Sequence, residues 1–428
     1  MESQNDIFSQ SFTQAVVATV LLPEDDENEV REDLKELGSL LKTLGIEVCG
    51  EVVQRRQKFS PHSLMGKGKI EEIHNLACDL EVEVVVFDKP LSGPQVRNLE
   101  KMIGLPVMDR SAVILEIFSS HARTSQAKTQ VEIARLEYLL PRLTGAWTHF
   151  QRQVGGGLKS RGMGEKQIEV DRRRARERIS RLQSKLEHIG KEKEVQRRSR
   201  SQEWKVALVG YTNTGKTTLM RNLTRSEIEG EDELFATLDT SIKVIDPRSR
   251  PKVLLSDTVG FIRNLPHSLV ESFKSTLHEV VEADLLLHVV DLGHPNFRAQ
   301  IETTTEVLRE LGADNIPVIH VFNKCDTVSD EVLPRLVKGA YPKSLVVSAN
   351  IPEDVVVVRR RVLDFFKKHM VKCVLKVPVS DYGSQSKVYA HCIVNSSDYE
   401  EQGWVYFDVE VNEVALRQIE GLIEVVKK

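Results

Sequence analysis

At 428 residues the chain is longer than one hydrophobic core ordinarily organises, and its length predicts about three domains. A composition of 40% hydrophobic and 29% charged residues, with no apolar run of bilayer length, argues against membrane insertion. Five cysteines without a CxxC pair argue against a disulfide framework or a zinc site, and a net charge of −4 gives no overall attraction to nucleic acid. Residues 1–10 have neither the basic start nor the apolar core of a secretory signal. The expected location is the cytoplasm, with peripheral membrane association left open.

From Thr13 to about Leu143, apolar runs alternate with helical spacing. Strands are expected at 13–22, 46–53, 82–87 and 106–108. Helices are expected over 30–44, 69–80 and 95–103, then over 111–118 and 129–143. Strand–helix alternation predicts a largely parallel sheet. Residues 145–164 read as a loop holding Gly155, Gly156, Gly157, Gly162 and Gly164. From Glu165 to about Arg200 there is no proline, and Ile168, Ile179, Leu182, Leu186 and Ile189 form a thin stripe. One or two long helices follow from this, and an antiparallel hairpin with 129–143 is one arrangement that would bury the stripe. A second α/β pattern begins at Trp204, with strands expected at 205–209, 252–256, 285–290, 318–322 and 345–347. A strand at 404–411 and helices near 385–391 and 413–423 predict a small α+β tail.

The expected architecture is therefore α/β. A second α/β domain (203–370) is preceded by a small α/β domain (1–120) and a helical hairpin with a glycine-rich basic loop (121–202), and followed by a small α+β domain (371–428).

Four segments in a workable order make 203–370 the expected P-loop GTPase domain. Gly210, Tyr211, Thr212, Asn213, Thr214, Gly215, Lys216 and Thr217 fit G-x-x-x-x-G-K-[ST] between a strand and a helix that continues through Thr218. The glycines let backbone N–H groups face phosphates, Lys216 reaches the β and γ oxygens, and the Thr217 hydroxyl suits magnesium. Asp257, Thr258, Val259 and Gly260 form a DxxG that puts a carboxylate near the metal and an N–H near the γ-phosphate. Between them, Phe235, Ala236, Thr237, Leu238 and Asp239 fall where a switch loop belongs, with Thr237 (or, less favourably, Thr240) as a second metal oxygen. Lys216, Thr237 and Gly260 are the expected catalytic residues.

Asn323, Lys324, Cys325 and Asp326 form NKxD after an apolar strand. The Asp326 carboxylate can accept from guanine N1 and N2, which adenine cannot match. Ser348, Ala349 and Asn350 are placed to offer a backbone N–H to guanine O6. Phe261 stands where many GTPases carry a water-orienting glutamine.

Between Arg152 and Arg200, sixteen basic residues face seven acidic ones. A solvated, ion-paired helix accounts for part of this. The neighbouring glycines, with Trp147, His149 and Phe150, favour contact with RNA.

The segments at 65–69, 109–118, 121–134, 161–173, 210–217, 235–239 and 257–263 together make the chain resemble the HflX family of translational GTPases. The resemblance implies a GTPase that binds GTP or GDP with magnesium held by Thr217 and Thr237. It also implies binding to the large ribosomal subunit and its RNA, and separation of the ribosomal subunits, with the N-terminal domain and glycine loop reaching toward the peptidyl-transferase region. A monomer without a membrane span is expected. Met163 and Lys166 depart from the family's usual glycine-loop residues, and the sequence after Ala349 departs from its usual glycine. Two other readings stay open: an RNA-binding GTPase of ribosome assembly, and a scaffold GTPase whose basic helix binds an acidic protein.

Overall fold

The computed structural model describes residues 11–142, 160–198, 203–225, 234–235, 237, 241–247, 249, 251–263, 277–330, 332–400, 403–412, 416 and 424–427. Two compact units emerge. The first holds 1–190 together with 233–238 and 263–273, and the second holds the remainder.

In the first unit the elements run β1 (Gln14–Leu21), α1 (Glu27–Thr43), β2 (Glu47–Arg55), α2 (Lys67–Asp79), β3 (Val84–Phe87), α3 (Gly93–Ile103) and β4 (Val107–Asp109). Then come α4 (Arg110–His121), α5 (Ser125–Leu139) and α6 (Ser160–Arg198). The four strands pair in parallel in the order β2-β1-β3-β4. β3 is buried at all four positions, as a strand covered on both faces must be. Asp26 caps α1 by accepting from Asn28 N, and Val30, Leu34, Leu37 and Leu41 turn its apolar stripe inward.

Two expectations are corrected here. The helix read as 129–143 spans Ser125–Leu139 and tightens to a 3-10 turn at Leu140–Arg142, because Pro141 lacks an amide to continue the ladder. Residues 160–164, read as loop, are helical, since two glycines cost only about 1 kcal/mol each in a long helix. The rest of the glycine loop lies outside the described residues. The stripe on α6 meets α5: Ile179 and Leu182 bury against Ile133, with Leu136 and Leu186 beside them.

The carboxyl ends of β3 and β4 gather buried charge. Arg110, 2% exposed, donates to Asp88 Oδ1 (3.1 Å) and Asp33 O (3.3 Å), and it pairs with Glu36. Burial, and next the Asp88 charge, raise Asp33 to about 6 against the pull of Arg110, Arg263 and Lys89. A folded value above the unfolded one favours the protonated form, so the associated stability is complete below pH 3.8 and lost as pH rises through 6. Asp33→Asn is expected to stabilise the protein by about 1–2 kcal/mol at pH 7.5 and by little at pH 4. Urea unfolding at both pH values checks this, and destabilisation at pH 7.5 would contradict it.

In the second unit β5 (Trp204–Val209), α7 (Lys216–Thr224), β6 (Ser241–Val244), β7 (Val253–Asp257) and β8 (Leu285–Asp291) come first. They are followed by α8 (Phe297–Glu310), β9 (Val318–Asn323), α9 (Leu333–Ala340), β10 (Leu345–Val346) and α10 (Pro352–Lys367). The sheet order is β10-β9-β8-β5-β7-β6, parallel except for the edge strand β6. β6 is not among the strands expected from sequence, because a short, half-exposed Ser-Ile-Lys-Val carries little pattern. Leu219, Met220 and Leu223 of α7 and Val355, Val358, Val362 and Phe366 of α10 pack on one face of the sheet. The tail comprises β11 (Val371–Pro378), α11 (Tyr382–His391), β12 (Ile393–Glu400), β13 (Trp404–Val411) and β14 (Glu424–Lys427), in an antiparallel sheet ordered β12-β13-β11-β14. The helix expected at 413–423 lies outside the described residues except for Leu416.

Candidate nucleotide site

β5 is the central strand at which connections diverge to both sides of the sheet, the place where open α/β sheets bind ligands beyond their carboxyl ends. The chain leaves β5 at Gly210 and enters α7 at Lys216. Two glycines are fixed by space as well as by backbone. Gly210 has φ +145 and a Cβ there would lie 2.2 Å from Val289 O, while Gly215 has φ +87 and a Cβ there would lie 2.3 Å from Asn323 Nδ2. Only glycine lets the loop run so close to β8 and to the NKxD turn.

The loop is tied at both ends. Lys216 Nζ is buried and donates to Tyr211 O (2.6 Å) and Gly210 O (3.2 Å). Burial lowers its amine to about 8, Asp257 opposes the shift and Lys324 adds to it, so a phosphate arriving beside it would push the value back up. Thr214 Oγ1 donates to Tyr211 O at 3.0 Å. Thr218 is half-buried in the first turn of α7.

Thr217 and Asp257 meet: Thr217 Oγ1 donates to Asp257 Oδ2 at 2.8 Å. A hydroxyl and a buried carboxylate are hard oxygen donors, so these residues fit a magnesium ion. The DxxG turn is laced to the phosphate loop by Thr212 N to Phe261 O (2.8 Å) and Phe261 N to Gly210 O (3.1 Å), and Thr258 Oγ1 donates to Leu208 O (2.6 Å). Phe261 is 2% exposed and packs with Val209, Val280 and Leu286, which makes it a core residue. Val259 is buried with it.

Asn323 joins three loops, donating through Nδ2 to Thr214 O (2.8 Å) and accepting at Oδ1 from Ala349 N (2.8 Å). Lys324 has left-handed φ 58, donates to Asn213 O (2.8 Å) and pairs with Asp291 (2.8 Å). Burial first, then Asp354 and Asp326, raise the Cys325 thiol, which therefore stays protonated. Asp326 is exposed in a 3-10 turn (Cys325–Thr327), open to a ligand. Ser348 N donates to Asp354 Oδ2 (2.7 Å) and Asn350 N to Ser348 Oγ (3.3 Å). Sequence reading missed Asp291 and Asp354. An acid in the first turn of the helix after Ser348-Ala349 was the available signal for the second.

The FATLD stretch behaves differently. Phe235 and Thr237 belong to 233–238, which groups with the first unit, and Phe235 is buried edge-on against Phe118 at 4.8 Å. Arg263, also in that unit, pairs with Glu29 (3.4 Å) and Asp33 (3.7 Å). Ala236, Leu238, Asp239 and Thr240 lie outside the described residues.

A central strand, a glycine-framed loop opening a helix, a carboxylate meeting the loop's threonine and an NKxD turn bonded to both define a P-loop GTPase. Three family models match the chain: GTP-binding GTPase N-terminal (31–119), GTP-binding GTPase middle region (121–200) and 50S ribosome-binding GTPase (205–324). The chain is 39% identical to GTPase HflX of Gluconacetobacter diazotrophicus, over 91% of this chain and 94% of the relative. It is 38% identical to GTPase HflX of Escherichia coli, over 95% of each. A crystal structure of a GTP-binding protein from Sulfolobus solfataricus with GDP aligns over 83% of this chain and 99% of that one, at 24% identity and a TM-score of 0.42. The chain belongs to the HflX family of GTPases, and GTP hydrolysis is its activity. Among the described residues, no helix is long and apolar enough to cross a membrane.

Proposed function

We propose that this GTPase docks on the large ribosomal subunit through its RNA and, in the GTP state, splits ribosomes or blocks subunit reassociation. The 205–324 match to a 50S ribosome-binding GTPase family supports the partner. The observation that carries the docking surface is the outward face of α6. Arg173, Arg174, Arg176, Arg178 and Arg181 are exposed while Ile179 and Leu182 are buried. The ion pairs Arg173–Glu177 and Arg174–Asp171, both at 3.8 Å with the arginines about 70% exposed, are weak enough for RNA phosphates to displace.

At the nucleotide, residues 210–218 hold phosphates, with Lys216 on the β and γ oxygens and the Gly260 N–H at the γ-phosphate. Thr217 and Asp257 would hold magnesium, which would supply charge neutralisation at the phosphates. Asn323 and Lys324 frame the base, Asp326 reads its N1 and N2, and the 348–350 backbone reads O6.

Co-sedimentation with large subunits in a non-hydrolysable GTP analogue, and dissociation of mature ribosomes in GTP, test the reading. Binding without dissociation would favour the ribosome-assembly role, and no binding would overturn both. Replacing Arg172, Arg173, Arg174 and Arg176 by glutamine should leave GTP affinity intact. It should flatten the salt dependence of particle binding by roughly 0.7–0.9 in log–log slope for each phosphate that is no longer neutralised. An unchanged slope would make the arginine face a solvated surface only.

A further inference from the structure

Thr212 is the third residue of the 210–217 loop, a position the motif leaves open. Its N–H donates to Phe261 O at 2.8 Å, which fixes it beside the DxxG turn. A Cβ built on Gly260 would lie 2.9 Å from Thr212 Cα, 3.0 Å from Thr212 Cγ2 and 3.1 Å from Lys216 Nζ. Thr212, through its Cα and Cγ2 methyl, the lysine amine and the Gly260 backbone therefore converge on one point, with the Thr212 hydroxyl on the same Cβ as that methyl. Because the lysine of such a loop meets the β and γ oxygens and the DxxG glycine meets the γ-phosphate, that point is the γ-phosphate end of the substrate.

Thr212 is 6% exposed, and its Oγ1 is buried without a hydrogen-bond partner among the described residues. The neighbouring hydroxyls differ: those of Thr214, Thr217 and Thr258 donate to Tyr211 O, Asp257 Oδ2 and Leu208 O. A buried hydroxyl without a partner is unfavourable, and beside a phosphate-binding loop a catalytic role is one explanation for it. Phe261 cannot help, since its ring sits in the core and bears no polar atom.

We propose that the Thr212 hydroxyl is a catalytic group in GTP hydrolysis, accepting a hydrogen bond from the attacking water while donating its own proton to a γ-phosphate oxygen. In the step, the water oxygen bonds to the γ-phosphorus and the bond from that phosphorus to the β–γ bridging oxygen breaks. The electron pair leaves with GDP, and the water's protons pass to inorganic phosphate and solvent. Thr212 ends unchanged. The proposal rests on the GTPase activity alone and stands apart from the ribosomal reading, so either can fail without the other.

The test uses the full chain without ribosomes, as wild type, Thr212→Val and Thr212→Ser, in single-turnover hydrolysis with protein in excess. Valine keeps the shape and backbone N–H and removes only the hydroxyl. Hydrolysis by the valine variant should fall about 100- to 1,000-fold, the range for losing one positioned hydrogen-bonding group at a transition state. GDP has no γ-phosphate, so its affinity should hold within about twofold. The serine variant should recover most of the rate, and only wild type and serine should trap GDP with aluminium fluoride. Wild-type hydrolysis by the valine variant would overturn the proposal, as would a matching loss of GDP affinity, which would make the hydroxyl structural.

Discussion

Purified large ribosomal subunits should accelerate GTP turnover by this protein roughly 10³- to 10⁵-fold, the gain seen when a charge-stabilising site is completed in trans. The reason lies at Phe261. Where a glutamine side chain could orient water and share charge, this chain places a ring that fills the core under the sheet's central strands. A threonine hydroxyl at 212 can align water, but it is neutral and cannot offset the charge spreading over the γ-phosphate oxygens. Lys216 supplies one positive charge, and burial holds its amine near 8 before a phosphate arrives. On the proposed function, the docked large subunit supplies the stabilisation that Lys216 and a magnesium ion leave incomplete. Steady-state phosphate release with and without subunits measures this. Equal rates would show that the isolated chain already has a complete catalytic site, and would remove the rate argument for a ribosomal activator.

Much of the GTPase fold could be read from sequence because its determinants are local. Gly210 and Gly215 are spaced by the loop itself, and NKxD follows a mainly apolar strand interrupted only by His320. What stayed hidden depends on pairings between distant segments. No local pattern links Arg110 to Glu36 and Asp88, and that cluster exists only once the sheet has brought its carboxyl ends together. β6 and β12 escape sequence reading for another reason. Both lie at sheet edges with half-exposed or polar residues, and neither alternation nor a continuous apolar run marks them. The edge-on packing of Phe235 against Phe118 of α4 is another such pairing between distant segments.

Asp326→Asn should move nucleotide preference from guanosine to xanthosine triphosphate by a combined factor of roughly 10³ or more, in the manner of sites that read a ligand by hydrogen bonds. The carboxylate offers only acceptors, which suit the guanine N1–H and N2 amino group. An asparagine amide offers one acceptor and one donor. The donor faces the guanine amino group unproductively but matches the carbonyl that xanthine carries at that carbon. The surroundings favour a clean exchange. Asp326 is exposed, and the turn that presents it is held by other atoms: Cys325 N on Val347 O (3.3 Å), Thr327 Oγ1 on Lys324 O (2.8 Å) and Lys324 on Asp291 and Asn213 O. None of these bonds uses the Asp326 side chain, so the variant should fold and melt as wild type does. Competition titrations with both triphosphates read the switch. Loss of GTP affinity without a gain for xanthosine triphosphate would mean that the carboxylate shapes the loop without touching the base, and undiminished GTP preference would move the base to another part of the site.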